Sequence, residues 1–173
     1  KIINNTGGLY GRLTYEMHLA PFSLTECERF YESRGISMDR YDQVQSYMVF
    51  GGIPYYLNYL KPELSLAENI DNLFFAKNGR LLKEFERLYD SLYSNSEKYM
   101  EIVRLLATKR GGFTRKEIAE QTSIAYNGRL AKMLKSLEKS DFVVSYTYFG
   151  GNARNIYYKL VDRLSLFHLY FLD

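Results

Sequence analysis

Thr114-Arg115-Lys116-Glu117-Ile118-Ala119-Glu120-Gln121, then Thr122-Ser123-Ile124-Ala125-Tyr126-Asn127, then Gly128-Arg129-Leu130-Ala131-Lys132-Met133-Leu134-Lys135-Ser136-Leu137-Glu138-Lys139-Ser140 is the stretch on which the fold turns. Thr114 with Glu117 three residues on is a capping box, so a helix opens at Arg115 and runs to about Gln121. Thr122 to Asn127 reads as a turn with Ile124 as its apolar plug. Leu130, Met133, Leu134 and Leu137 recur at helical spacing and predict a second helix from about Gly128 to Ser140, with that face inward.

Working outward, Glu97 to Lys109 carries Ile102, Val103, Leu105 and Leu106 at helical spacing, and Gly111-Gly112 ends that segment. On the other side, Phe142 to Phe149 is rich in β-branched and aromatic residues and reads as a strand. Gly150-Gly151-Asn152 is a tight turn, and Asn155 to Leu160 is a second strand. Three helices followed by a β-hairpin is the order of a winged helix-turn-helix, predicted over 97–160. The caps, the turn and the hairpin all agree on it.

The residues before Glu97 predict a helical bundle. Ser23-x-x-Glu26 is a capping box for a helix with Leu24, Cys27, Phe30 and Tyr31 on one face, ended by Gly35. Asp39 caps a second helix whose apolar positions include Val44, Met48 and Val49, stopped by Gly51-Gly52. Pro54 suits the first turn of a short helix over Tyr55 to Leu60. Ser65-x-x-Glu68 opens a helix ending near Asn78-Gly79. Leu81, Leu82, Phe85, Leu88, Tyr89 and Leu92 predict a helix of about four turns. Leu13 to Leu19 alternates weakly, as a strand would. The fold class expected is mainly α, a helical bundle followed by a winged helix-turn-helix with a small β-hairpin.

The chain has 173 residues, enough for one large domain or two small ones. Net charge is only +3, but it is unevenly placed. Residues 97–160 hold 12 Lys and Arg against 6 acids, whereas residues 1–96 hold 10 against 12. Such local excess is what a polyanion-binding segment carries. The single cysteine, Cys27, excludes an internal disulfide and fits a reducing, cytoplasmic setting. On the apolar side of its helix it reads as a small hydrophobe. No apolar run is long enough to span a membrane. The 17 Tyr and 11 Phe fit half-buried core positions as well as domain or partner interfaces.

Chemistry is sparse. There is no G-x-x-x-x-G-K-[ST] loop and no G-x-G-x-x-G after a strand. His18 and His168 stand at opposite ends of the chain, and with one cysteine no zinc site is expected. No nucleophile-and-base set has recognisable context, so no catalytic and no metal-binding residue is assigned. The best functional element is the helix from Gly128. Arg129, Lys132, Ser136 and Lys139 share one face, with Lys135 beside it. In a helix-turn-helix this face enters the major groove. Arg129 could then read a guanine edge, and Asn127 an adenine or a phosphate. Arg115, Lys116 and Arg154 could bind phosphates of double-stranded DNA. The plainer readings are a solvated helix face, or a module that docks on protein.

Two further stretches carry a resemblance. Gly7-Gly8-Leu9-Tyr10-Gly11-Arg12-Leu13-Thr14, followed by Leu19-Ala20-Pro21-Phe22-Ser23-Leu24, is one; Tyr47-Met48-Val49-Phe50-Gly51-Gly52-Ile53-Pro54-Tyr55-Tyr56-Leu57 is the other. Together they resemble the archaeal-type ATPases also found in bacteria, relatives of the AAA+ and STAND signalling ATPases. The resemblance implies that residues 1–19 are a remnant of a nucleotide-binding core. It makes 20–96 a helical lid, 97–160 a winged helix, and 161–173 the start of a truncated C-terminal region. The family's phosphate-binding loop and Mg²⁺-binding acid have no counterpart here, so ATP or ADP with Mg²⁺ is expected in a larger parent and none in this piece. By resemblance, Gly52, Ile53 and Pro54 meet the adenine and Arg12 the phosphates; read without it, Gly-Gly-x-Pro separates two helices. The function expected is a non-catalytic regulatory part of an ATPase, coupling nucleotide state to DNA, to the missing core or to another protein. The alternative is a stand-alone DNA-binding transcription regulator.

Overall fold

The computed structural model describes residues 17–150 and 155–173. The chain is mainly helical, with a small three-stranded antiparallel sheet. The helices are α1 (Leu24–Ser33), α2 (Arg40–Phe50), α3 (Pro54–Leu57), α4 (Leu66–Ile70), α5 (Glu84–Leu92), α6 (Ser96–Ala107), α7 (Arg115–Gln121), α8 (Gly128–Lys139) and α9 (Arg163–Phe171). The strands are β1 (Phe113–Thr114), β2 (Val143–Tyr146) and β3 (Tyr157–Leu160), in the order β1-β3-β2.

The caps decide where the helices begin. Ser23, Ser65 and Thr114 each close a capping box, accepting the backbone N–H of Glu26, Glu68 and Glu117. In return, the backbone N–H and hydroxyl of Thr114 donate to the Glu117 carboxylate and hold its pKa below the ordinary range. Asp39 and Asp162 cap α2 and α9.

Two apolar cores form. The first gathers Cys27, Tyr31, Phe50, Leu57, Phe74 and Leu81. The Tyr31 hydroxyl donates to buried Ser46 at 2.9 Å, and burial pushes its pKa up to about 12. Buried Asn69 accepts from the Lys61 N–H and donates to the Leu64 and Ser65 carbonyls, which ties down the loop before α4. The second core gathers Phe85, Tyr89, Ile102, Ile118, Leu130 and Leu134. Phe85, Tyr89 and Tyr93, of α5 and its following turn, also belong to it. Helix α9 joins the two. Leu164 is buried in the first core, while Leu166 and Leu169 pack on the second. The Tyr89 hydroxyl and the Ser165 hydroxyl meet at 3.1 Å in that seam.

Several expectations are corrected. Val44 and Met48 do not face the core; they are 45% and 61% exposed, and Ser46, Val49 and Phe50 point inward instead. The helix from Ser65 does not run to Asn78. It stays α-helical to Ile70 and widens into a π-helical turn over Asp71–Phe75, closed by the Ala76 N–H on the Asp71 carbonyl at 2.9 Å. The wider turn sets Leu73 and Phe74 into the core. The four-turn helix from Leu81 begins only at Glu84, because Leu81 donates back to the Leu73 carbonyl. The helix after Gly52 is a single turn. Met17 to Ala20 form no strand. The sheet has a strand the sequence reading missed, β1, which pairs Phe113 with Tyr158. Leu13 to Glu16 and most of the Gly150-Gly151-Asn152 turn lie outside the described residues.

Candidate functional site

The Gly51-Gly52-Ile53-Pro54 joint is fixed by backbone geometry. Gly51 ends α2 in the left-handed region (φ 67°) and donates to the Tyr47 carbonyl, the αL cap that glycine favours. Gly52 follows at φ 71°. Its carbonyl accepts the Phe22 N–H at 2.8 Å, and a Cβ at Gly52 would stand 2.3 Å from the Phe22 carbonyl oxygen. The close approach that requires this glycine is to the chain's own backbone at Phe22. Ile53 is extended and half-buried, and its carbonyl takes the first helical bonds of α3. Pro54 sits at the first position of α3 and is exposed.

Beside Pro54 stands an aromatic group that sequence reasoning passed over. Tyr55 is 57% exposed and meets Tyr56 and Tyr59 edge-on at 5.3 and 5.2 Å. The Arg80 guanidinium lies 4.5 Å over the Tyr59 ring. Tyr56 is buried and donates to Glu84 at 3.3 Å; burial raises its pKa well above the ordinary value. The spacing Tyr55-x-x-x-Tyr59 was the available signal. Arg12 lies outside the described residues.

The basic face of α8 is present. Arg129, Lys132, Lys135 and Lys139 are all exposed on it. Ser136 falls between Arg129 and Lys132 around the helix, but it is half-buried, beside Tyr93. Asn127 is the N-cap of α8. Its amide oxygen accepts from the Arg129 and Leu130 N–H groups at 2.8 and 3.3 Å. That oxygen is committed, so the two-point pairing with adenine would break the cap, and only the amide nitrogen is left to donate. Arg115 is half-buried, stacked 4.6 Å over Tyr126 and donating to its hydroxyl at 2.9 Å. Lys116 is exposed, with Glu120 one turn away at 3.8 Å. Such a surface pair adds little. Arg154 lies outside the described residues. The two groups of residues are separate sites, one on the first core and one on the second. Among the described residues no cluster of three or more His, Cys, Asp or Glu could hold a metal ion, and no helix is long and apolar enough to cross a membrane.

No protein-family model matches the chain, and no curated protein matches it. Among solved structures, its fold is similar to that of a Walker-type ATPase of Pyrococcus abyssi, with a TM-score of 0.57 at 20% identity. The match covers 94% of this chain and 46% of that protein, so the chain spans less than half of its length.

Proposed function

We propose that the chain is the nucleotide-responsive but non-catalytic part of a Walker-type ATPase, in which the first core is a lid and the second a winged helix that meets the partner. The observation that carries this reading is the likeness of almost the whole chain to a Walker-type ATPase, joined to a sequence that has no phosphate-binding loop. The residues present fit one part of a nucleotide only. Pro54 and Tyr55 offer an exposed apolar edge on which a purine base can rest. Phosphates and Mg²⁺ would fall to residues outside the described set. In this reading Gly52 holds the joint rigid against Phe22, Ile53 anchors it, and Pro54 makes the contact. ATP or ADP with Mg²⁺ then belongs to the parent protein.

For the winged-helix reading, the support is the order α6–β1–α7–α8–β2–β3 with Asn127 capping α8 and an exposed row of Arg129, Lys132, Lys135 and Lys139. Double-stranded DNA suits that row, with contacts chiefly to phosphate. A protein partner, or the ATPase core itself, is the other occupant of this reading.

Two titrations test the proposal. In the full-length protein, Pro54→Ala weakens ADP binding by about 1 kcal/mol, from the modest apolar area lost; unchanged affinity at unchanged stability returns Pro54 to the role of a helix spacer. For the second core, fluorescence anisotropy on labelled duplex gives affinity at several salt concentrations. Arg129→Ala with Lys132→Ala lowers the affinity, and the log–log salt slope falls by about two. Absence of binding at low salt transfers this face to a protein partner.

A further inference from the structure

One groove belongs to neither site. It measures about 880 Å³ and lies between α2, the α4 and π-helical turn, and α9, with the end of α6 and β3 along one side. Its floor includes Val49, Leu66, Leu106, Leu160 and Phe167. Its rim carries Met48, Phe75, Tyr170 and Phe171, which are 61, 49, 58 and 65% exposed. Large apolar side chains gathered round one concavity mark an interaction site. Methionine in particular adapts to varied partners.

The groove is also electrically lopsided. Lys109, Arg110, Lys159 and Arg163 line it, against two acids, Asp42 and Asp71. The Arg163 side chain lies against Gly51 at the end of α2, and Lys159 stands four residues before Arg163 at the end of β3. Asp42 lies nine residues back along α2, roughly 13 Å away at the helical rise. Lys109 shares Glu117 at 3.5 Å. Among the described residues Arg110, Lys159 and Arg163 have no carboxylate partner.

Shape selects the occupant. A slim acyl chain would cover the floor and leave Met48, Tyr170 and Phe171 in water. An α-helix is about 10 Å across and would cover floor and rim together. Arg163, Leu166, Phe167, Tyr170 and Phe171 form a continuous helical stripe on α9 facing the groove, which is the geometry of helix-in-groove recognition. We propose that the groove receives an amphipathic helix of a protein partner, apolar along one face and acidic in the turn that lies over Lys159 and Arg163. A helix C-terminus carries partial negative charge of its own, so an acidic C-terminal turn fits that end best. The site is separate from Pro54 and from the basic face of α8, and its failure and theirs are independent.

The probe is a synthetic helix of roughly 15 residues, with leucines at i, i+3, i+4 and i+7 and glutamates in its last turn. It is titrated into the 173-residue chain by calorimetry, with circular dichroism following peptide helicity. One comparator carries lysine for those glutamates and another has its leucines scrambled. The acidic peptide binds and gains helix, the lysine peptide binds at least about tenfold more weakly, and the scrambled one does not bind. Met48→Glu, a change at an exposed position, abolishes binding. Lys159→Glu with Arg163→Glu keeps the β and γ carbons that touch Gly51 and turns the preference from the acidic to the lysine peptide. Equal binding of both charged peptides overturns the proposal, as does full affinity after Met48→Glu or no binding of the acidic peptide at millimolar concentration. A dimer of the chain in sedimentation that Met48→Glu dissociates overturns it too, because the groove's occupant is then a second copy.

Discussion

In α8, Asn127 caps the first turn, and Leu130, Met133, Leu134 and Leu137 are all buried where their spacing puts them. In α2, Asp39 caps the first turn equally well, yet Val44 and Met48 face out and Ser46 faces in. The two regions differ in what holds each helix. Helix α8 lies on a core made by its sequence neighbours α6, α7 and β2, so local pattern and tertiary contact agree. Helix α2 packs on α1 but also on α9, more than a hundred residues later, and the Ser46 hydroxyl is drawn inward by Tyr31. A long-range partner can overrule a local stripe; a capping residue is harder to overrule because its partner is its own backbone.

That contrast can be broken at the seam. Phe85 is fully buried in the second core and stacks on His168 of α9 at 4.7 Å. Phe85→Ala should cost about 3–5 kcal/mol in chemical denaturation. Because α9 serves both cores, amide exchange should accelerate in α2 as well as in α6. Acceleration confined to α6 would show that the cores open separately. Gly52→Ala comes next. The added methyl meets the Phe22 carbonyl in a backbone region that L-residues avoid, so a loss of about 2 kcal/mol is expected. A loss below half of that would mean the Phe22 segment gives way easily. Asn127→Ala removes two bonds to the start of α8 and should cost about 1 kcal/mol, with exchange raised only in the first turn of that helix.

The smallest effect is with pH. His168 is buried, and burial holds its pKa below the ordinary value, against the opposing pull of Glu86 at 3.7 Å and of Asp173. The unfolded chain therefore takes up this proton first. Stability contributed at this site is complete above about pH 6.5 and declines as pH falls toward the folded-state value. His168→Phe should flatten the stability profile between neutral pH and pH 5. An unchanged slope in that window would overturn the assignment to His168, because the Glu117 contribution declines only below about pH 4.5.

The same contrast explains what could be read in the sequence. The three capping boxes, the glycine stop at Gly51 and the leucine stripe of α8 were legible because each is a relation among residues a few positions apart. The π-helical turn at Asp71 and the strand Phe113–Thr114 were not, because one answers to the Leu81 N–H and the other to Tyr158 across the sheet. In the candidate sites, the exposed row on α8 was legible from its period. The commitment of the Asn127 oxygen to its own helix, and of Gly52 to Phe22, needed the backbone in three dimensions. Tyr55 and Arg80 were missed because an aromatic pair one turn apart looks the same in a core as on a surface.

Helix α9 also sets a timetable for synthesis. All buried apolar residues of the first core except Leu164 lie at or before Leu81. At elongation rates of about 5–20 residues per second, a ribosome needs roughly 4–17 s to travel from one to the other. Through that interval Phe74 lacks the Phe167 ring it later packs against at 4.9 Å, and α2 lacks α9, the neighbour most distant from it in sequence. The nascent chain therefore presents a half-covered greasy face for far longer than a small helical unit takes to collapse. A slower codon run before Arg163 would lengthen that window and raise the yield of aggregates.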